Sequence, residues 1–133
     1  MRIKFVVPVL LAACLVSAVA IAANDKVEAN FQSLSASGIT GEAVLKPVPA
    51  GGTLIHVSLR GLEPGVIYTS SVFEASQECG VGTPSAMIEQ FQANPAGNAT
   101  FNRRVEQELT SIRSISVLRV SDSQLQACAP VTQ

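Results

Sequence analysis

The side chains of this sequence that could do chemistry are few. Its one histidine is His56, and Ser58 lies two residues further along the same face of an alternating strand. A histidine near a serine suggests a general base and a nucleophile. A hydrolytic triad also needs an orienting acid and an oxyanion hole, and the sequence has no motif for either. We therefore interpret His56 as a partly exposed strand residue and predict no catalytic residues.

Two pairs of carboxylates are the next candidates. Glu106 and Glu108 fall on one side of a strand if the strand continues that far, but at a strand end such residues are typical of a solvated rim. Glu74 and Glu78 flank the loop of Cys79 and could hold a hard cation. Their spacing is not Asp-x-Asp and no glycine turn accompanies it, so we predict no metal site and no cofactor.

Arginines are concentrated in the C-terminal third of the chain. They are Arg103, Arg104, Arg113 and Arg119. Gathered on one sheet face, these guanidinium groups would bind an anionic glycan or a lipid headgroup, whereas singly they are solvated or pair with nearby glutamates. The sequence leaves both arrangements open, and Arg103 and Arg104 remain candidate contact residues.

The first 22 residues resemble a secretory signal peptide. Arg2 and Lys4 precede an apolar run that begins at Phe5, and small residues follow in an Ala-x-Ala pattern. We predict a signal peptide over 1–22 and a single domain over 23–133, exported to the periplasm or secreted. Two alternatives stay open: Leu11–Cys14 has the form of a lipoprotein box that would be lipidated at Cys14, and an uncleaved apolar run would anchor the chain in a membrane.

Removal of the signal segment changes the charge of the protein. It takes away two of nine cations and none of ten acids, so the remaining chain carries 7 − 10 = −3. A mildly acidic domain lacks the positive surface that nucleic acid requires, and we predict no nucleic-acid partner. The expected partner is instead an envelope protein, a polymer or a small ligand. Contact with the membrane is expected only through the signal segment.

Cysteine usage agrees with export. Outside the predicted signal, Cys79 and Cys128 are the only pair, and in an oxidising compartment we expect them to form a disulfide. Two buried free thiols would require a reducing compartment. The wide spacing, without a CxxC motif or a nearby histidine, argues against a metal site at these cysteines.

The elements that position these residues are short, β-branched runs separated by turn residues. We predict strands within 27–34, 39–47, 53–61, 66–74, 85–93, 99–106, 113–120 and 125–131, with a short helical link over 107–112. Residues 86–89 would also suit a helical turn. Alternation in the sixth run places Phe101 and Val105 in the core and Arg103, exceptionally, on the inner face. Seven or eight such strands indicate an all-β antiparallel sandwich or barrel.

Four short motifs, in order, carry a family resemblance. They are GEAVL (41–45), GLEPG (61–65), ANPAGNA (93–99) and LQAC (125–128). The chain resembles the copper/zinc superoxide dismutase fold, and more closely the short bacterial secreted domains related to it and to the CHRD domain. The resemblance implies a Greek-key β-sandwich in which Cys79, after the fourth strand, is bonded to Cys128 on the last.

The resemblance does not extend to the metal ligands of the enzymes. In the dismutases the strand after the GLxPG turn carries a His-x-His pair, and here Ser70/Val72 or Ser71/Phe73 occupy those positions, depending on register. Copper in a redox site needs several imidazole ligands, and these side chains offer none. We therefore predict a non-catalytic binding or structural module of the cell envelope. The alternative is a degenerate or metal-dependent superoxide dismutase-like enzyme.

Loops carried on a rigid sandwich are the usual place for binding. We accordingly expect a contact surface around the loop 75–84. Its predicted residues are Tyr68, Glu74, Glu78, Arg103 and Arg104.

Overall fold

A computed structural model describes residues 26–133, so the predicted signal segment and Cys14 lie outside the described residues. The described chain is all-β, as predicted. Its strands are β1 (Val27–Ser33), β2 (Thr40–Pro47), β3 (Thr53–Arg60), β4 (Ile67–Phe73), β5 (Ala86–Gln92), β6 (Ala99–Val105), β7 (Ser114–Arg119) and β8 (Gln124–Pro130). The predicted helical link is one 3₁₀ turn, Leu109–Ser111. Residues 86–89 belong to strand β5 and not to a helix.

All strand pairs are antiparallel, and the spatial order is β5-β4-β7-β8-β1-β2-β3-β6. The sheet bends into two layers: the first layer is β1, β2, β3 and β6, and the second is β5, β4, β7 and β8. The layers are joined by a short pairing in which Gln32 and Ser33 of β1 lie opposite Cys128 and Ala127 of β8. No ladder pairs β5 with β6, so the sheet is nearly closed but open along one side.

The core lies between the two layers because side chains alternate along each strand. In β3, Ile55, Val57 and Leu59 are fully buried, while the alternate residues Leu54 and Ser58 face outward. The second layer contributes Tyr68, Val72, Ile88, Ile115 and Val117 from its inner side. The connections from β3 to β4 and from β6 to β7 cross from the first layer to the second, so the connectivity is the predicted Greek key.

The GLEPG turn shows why glycine is needed where β3 leaves the first layer. Gly61 has a φ of +79°, and a β-carbon at this position would lie 2.4 Å from the carbonyl oxygen of Gly38. Only a residue without a β-carbon fits so close to the neighbouring turn. Gly65, with a φ of +81°, has open space around it, so its requirement is conformational alone.

The disulfide between Cys79 and Cys128 is present, with 5.8 Å between the two Cα atoms. It fastens the long β4–β5 loop to the outer side of the second layer. Ser114 assists because its hydroxyl donates a hydrogen bond of 2.9 Å to the carbonyl of Ser76 in the same loop. Within 26–133, no helix has the length and apolar character needed to cross a membrane.

Candidate functional site

The structure corrects the prediction for Tyr68. Its side chain is only 1% exposed and lies in the core, so it is not available as a surface contact. Its hydroxyl oxygen accepts a hydrogen bond of 3.1 Å from the N–H of Glu63, which holds the GLEPG turn against β4. The alternation of β4 is misleading in sequence because Ser70 points inward and Ile67 points outward.

The other four predicted contact residues are exposed but do not form one surface. Glu74 and Glu78 lie on the β4–β5 loop. Arg103 and Arg104 are on β6, where they point to opposite sides of the strand. Arg103 donates to the carboxylate of Glu89, whereas Arg104 donates two hydrogen bonds to the carbonyl of Gly51.

The arginines therefore do not gather into an anion site. Arg119 is engaged separately, with a two-pronged ion pair to Asp122 at 2.6 and 3.0 Å. The hydrogen bonds from Arg119 are the main cause that lowers the pKa of Asp122, and partial desolvation opposes them. This pair fastens the β7–β8 turn, where the arginine also donates to Gln124.

His56 faces outward on the first layer, as predicted, and is half-buried. Its Nδ1 lies 2.5 Å from Oδ1 of Asn102 on the adjacent β6. The cross-strand register places the two residues directly opposite each other. Sequence reasoning missed Asn102 because the neighbour of β3 becomes known only from the strand order. Nδ1 of His56 is engaged with the amide of Asn102, so only Nε2 faces solvent. His56 therefore offers at most one nitrogen to a metal ion.

A copper or zinc centre of the dismutase kind does not fit the residues present. Ser70 and Val72 are fully buried in the core, and Ser71 pairs with Ser116 on the second layer. The lone imidazole is on the other layer. Among residues 26–133, no three His, Cys, Asp or Glu side chains are arranged to hold a metal ion.

The outer side of the second layer has an unusual composition. We call it the uncharged face, and its members are Ile67, Thr69, Met87, Gln90, Gln92, Leu118, Val120 and Leu125. The outer side of the first layer differs, since it carries Glu42, Lys46, Arg60 and Arg104. The alternation of β7 signals the difference in sequence, because Ser116, Leu118 and Val120 are all uncharged.

Exposed apolar side chains are concentrated on this second layer. Residues 26–133 contain six large hydrophobic side chains that are more than a third exposed. Five of them, Leu34, Ile67, Val81, Met87 and Val120, are on the uncharged face or beside it, and only Leu54 is on the first layer. At the border of the face, beside the disulfide, an open groove of about 470 Å³ is lined by the apolar Leu34, Leu125 and Pro130 together with Glu78 of the β4–β5 loop.

A second groove follows the open side of the sheet, between the edge strands β5 and β6. We call it the seam groove; its volume is about 570 Å³. Phe91 and Phe101 meet at its floor with ring centroids 4.8 Å apart, and Phe91 in turn stacks on Tyr68 at 5.7 Å. Sequence alternation placed Phe101 on the inner face but could not show that β6 is an edge strand, where an inner side chain remains half-exposed.

Comparison with known proteins identified no relative of this chain. The sequence matches no protein-family model, and no curated protein is significantly similar to it.

Proposed function

We propose that the protein is an exported, non-catalytic domain that docks onto another protein through the uncharged face of its second layer. The observation that carries this proposal is the concentration of five exposed, large apolar side chains on and beside a sheet face without charged residues. Exposed apolar side chains grouped on a surface without charge are typical of protein interaction sites, whose centres are depleted in charge. The disulfide is compatible with an oxidising compartment.

The chemistry of the face favours a protein over the other partners expected from sequence. An anionic envelope polymer needs cations, and none of the members of the face is basic. A small ligand needs a concave site, whereas most of the face is an open sheet surface. The groove beside Leu34 and Leu125 is the place where a protruding side chain of the partner would anchor.

A relationship to the secreted superoxide dismutase-like and CHRD-like domains is part of the same proposal. It is supported by the four motifs in order, together with a Greek-key strand order and a bridge from the β4–β5 loop to the last strand. Fold alone does not transfer the activity. The test is copper titration of the oxidised protein without its predicted signal. Stoichiometric tight binding together with superoxide turnover would refute the non-catalytic proposal in favour of a superoxide dismutase-like enzyme.

The docking proposal is tested by introducing positive charges into the uncharged face. Oxidised bait proteins with Ile67→Lys and Val120→Lys, alone and together, are compared with the unaltered bait by cross-linking in envelope extract. Val44→Lys on the outer side of the first layer is the matched control. We expect one protein species to be captured by the unaltered bait and the control but not by the double variant. Equal capture by all baits would refute the face as the docking site, and sedimentation of the bait alone shows whether the partner is a second copy.

A further inference from the structure

We infer that the seam groove between β5 and β6 binds a neutral saccharide. This site shares Gln90 and Gln92 with the uncharged face but differs from it in its floor and its ends, and it does not rest on the docking proposal. Its volume of about 570 Å³ falls in the range of about 300–1,000 Å³ found for small-molecule sites.

The floor of the groove is aromatic. Phe91 and Phe101 are inner-face residues of edge strands, and both remain half-buried and in contact, tilted by 37°. Tyr68, fully buried beneath them, stacks on Phe91 and fixes its position. The negative face of an aromatic ring attracts the weakly positive C–H groups on the apolar face of a pyranose, so a rigid ring pair is a suitable platform.

The walls of the groove are polar and neutral. Gln90 and Gln92 of β5 and Thr100 of β6 alternate with the two phenylalanines and therefore point outward along the rim. Within the described part of the chain, none of the three side chains hydrogen-bonds to another residue. Amides and hydroxyls both donate and accept, which matches the hydroxyl groups of a sugar.

The ends of the groove are fixed by local hydrogen bonds. At one end the carboxylate of Glu89 accepts a bond of 2.8 Å from Arg103, so its charge is already compensated. At the other end Asn94 stabilises the β5–β6 turn, because its Oδ1 accepts from the N–H groups of Ala96 and Asn98. A free cation or a free anion would compete with the existing ion pair, which favours a neutral ligand.

An extended peptide is the other occupant that a pair of free strand edges invites. An added strand needs about 4.8 Å on each side, or roughly 9.6 Å between β5 and β6. The Glu89–Arg103 bond of 2.8 Å and the ring contact of 4.8 Å both cross this gap. A strand would have to break both contacts, whereas a saccharide lies over them.

The test uses the oxidised protein and four probes: maltotetraose, cellotetraose, mannotetraose and N,N′,N″,N‴-tetraacetylchitotetraose. Binding is followed by shifts of the backbone amide signals in two-dimensional NMR. We expect at least one tetrasaccharide to give saturable shifts confined to β5, β6 and their turn. Phe101→Leu keeps an apolar floor without the ring face and should weaken binding about tenfold, and Gln92→Ala should weaken it about threefold to tenfold.

Lys46→Ala, on the outer side of the first layer, is the control and should bind as the unaltered protein does. Thermal unfolding of each variant separates lost binding from lost structure. The inference is overturned if no probe gives saturable shifts up to about 10 mM, a concentration that would nearly saturate a site with a Kd of about 1 mM. It is also overturned if Phe101→Leu and Gln92→Ala, both folded, bind as tightly as the control. A shift pattern centred on Ile67 and Val120 would refute the seam in the same way.

Discussion

Arg103 donates a hydrogen bond of 2.8 Å to Glu89 across the gap between β5 and β6, where no backbone ladder joins the two strands. Both residues are at inner-face positions of edge strands, so the ion pair covers the open side of the core. Inward-pointing charges on edge strands are one of the ways by which sheet proteins avoid pairing edge to edge. We therefore expect the pair to discourage edge-to-edge association between copies of the chain, whatever the groove binds.

The first prediction concerns this role. Arg103→Val removes the inward charge and leaves Glu89 without its partner. The side chain of Arg103 is 53% exposed, so the free energy of unfolding should change by less than about 1 kcal/mol. Self-association should rise, because the edge of β6 no longer carries an inward charge and can pair with another copy. Light scattering after gel filtration measures it, with Arg103→Lys as the charge-retaining control. A strictly monomeric Arg103→Val variant would show that the pair does not protect the edge.

The second prediction compares two glycines of one motif. Gly61 and Gly65 have nearly the same φ, +79° and +81°, but only Gly61 is crowded by the carbonyl of Gly38. Gly65→Ala should cost about 1–2 kcal/mol, the penalty for a β-carbon in the left-handed region. Gly61→Ala should cost clearly more, because the turn at Gly38 must also move. Urea unfolding gives both values, and equal losses would mean that the contact between the two turns relaxes freely.

The strand pattern could be predicted from sequence because its physical cause is local. Alternation and turn residues placed all eight strands, and the structure confirms each of them. β4 shows where this reasoning fails: a buried Ser70 and an exposed Ile67 reverse the usual assignment of apolar residues to the inside. The prediction of Tyr68 as a contact residue is wrong for another reason: it rests on the general place of binding loops on a sandwich, whereas the ring of Tyr68 lies in the core.

The candidate sites depended on topology, which local patterns do not determine. The inner-face position of Arg103 could be predicted from alternation. Its partner Glu89 lies on the opposite edge of the sheet, and the two residues meet only because the sheet folds over into two layers. The seam groove could not be predicted for the same reason, because its lining comes from both edge strands. Asn102 beside His56 follows only from the pairing of β3 with β6.

The third prediction tests the buried tyrosine. Tyr68→Phe keeps the ring stack on Phe91 but removes the oxygen that accepts from the N–H of Glu63. Because Glu63 is itself exposed, the lost bond should lower the free energy of unfolding by about 0.5–1.5 kcal/mol. Amide exchange at Glu63 should become faster, while exchange in the β3 strand stays unchanged. An unaltered exchange rate at Glu63 would mean that the hydroxyl does not hold the turn.

The fourth prediction concerns the disulfide. Cys79 and Cys128 are 49 residues apart in sequence, and closing a loop of that length stabilises the fold by about 4 kcal/mol in the chain-entropy model. Reduction with dithiothreitol should therefore lower the midpoint of urea unfolding substantially. The Cys79→Ala, Cys128→Ala double variant is the control and should be insensitive to the reductant. If reduction leaves the midpoint of the unaltered protein in place, the bridge contributes nothing to stability.

The fifth prediction is a pH dependence at the β7–β8 turn. Hydrogen bonds from Arg119 lower the pKa of Asp122 in the folded state below its ordinary value of 3.8. As the pH falls, the unfolded chain takes up this proton first, so the stabilisation is present above about pH 4 and is lost as the pH drops through the folded-state pKa. Asp122→Asn abolishes this titration, so its melting temperature should fall less steeply than that of the unaltered protein between about pH 4 and pH 2. Because the pair lies at the surface, the difference should be small and should shrink further in 1 M salt, about ten times a typical 0.1 M buffer. Parallel melting curves for the two proteins throughout this range would show that the ion pair does not contribute to stability.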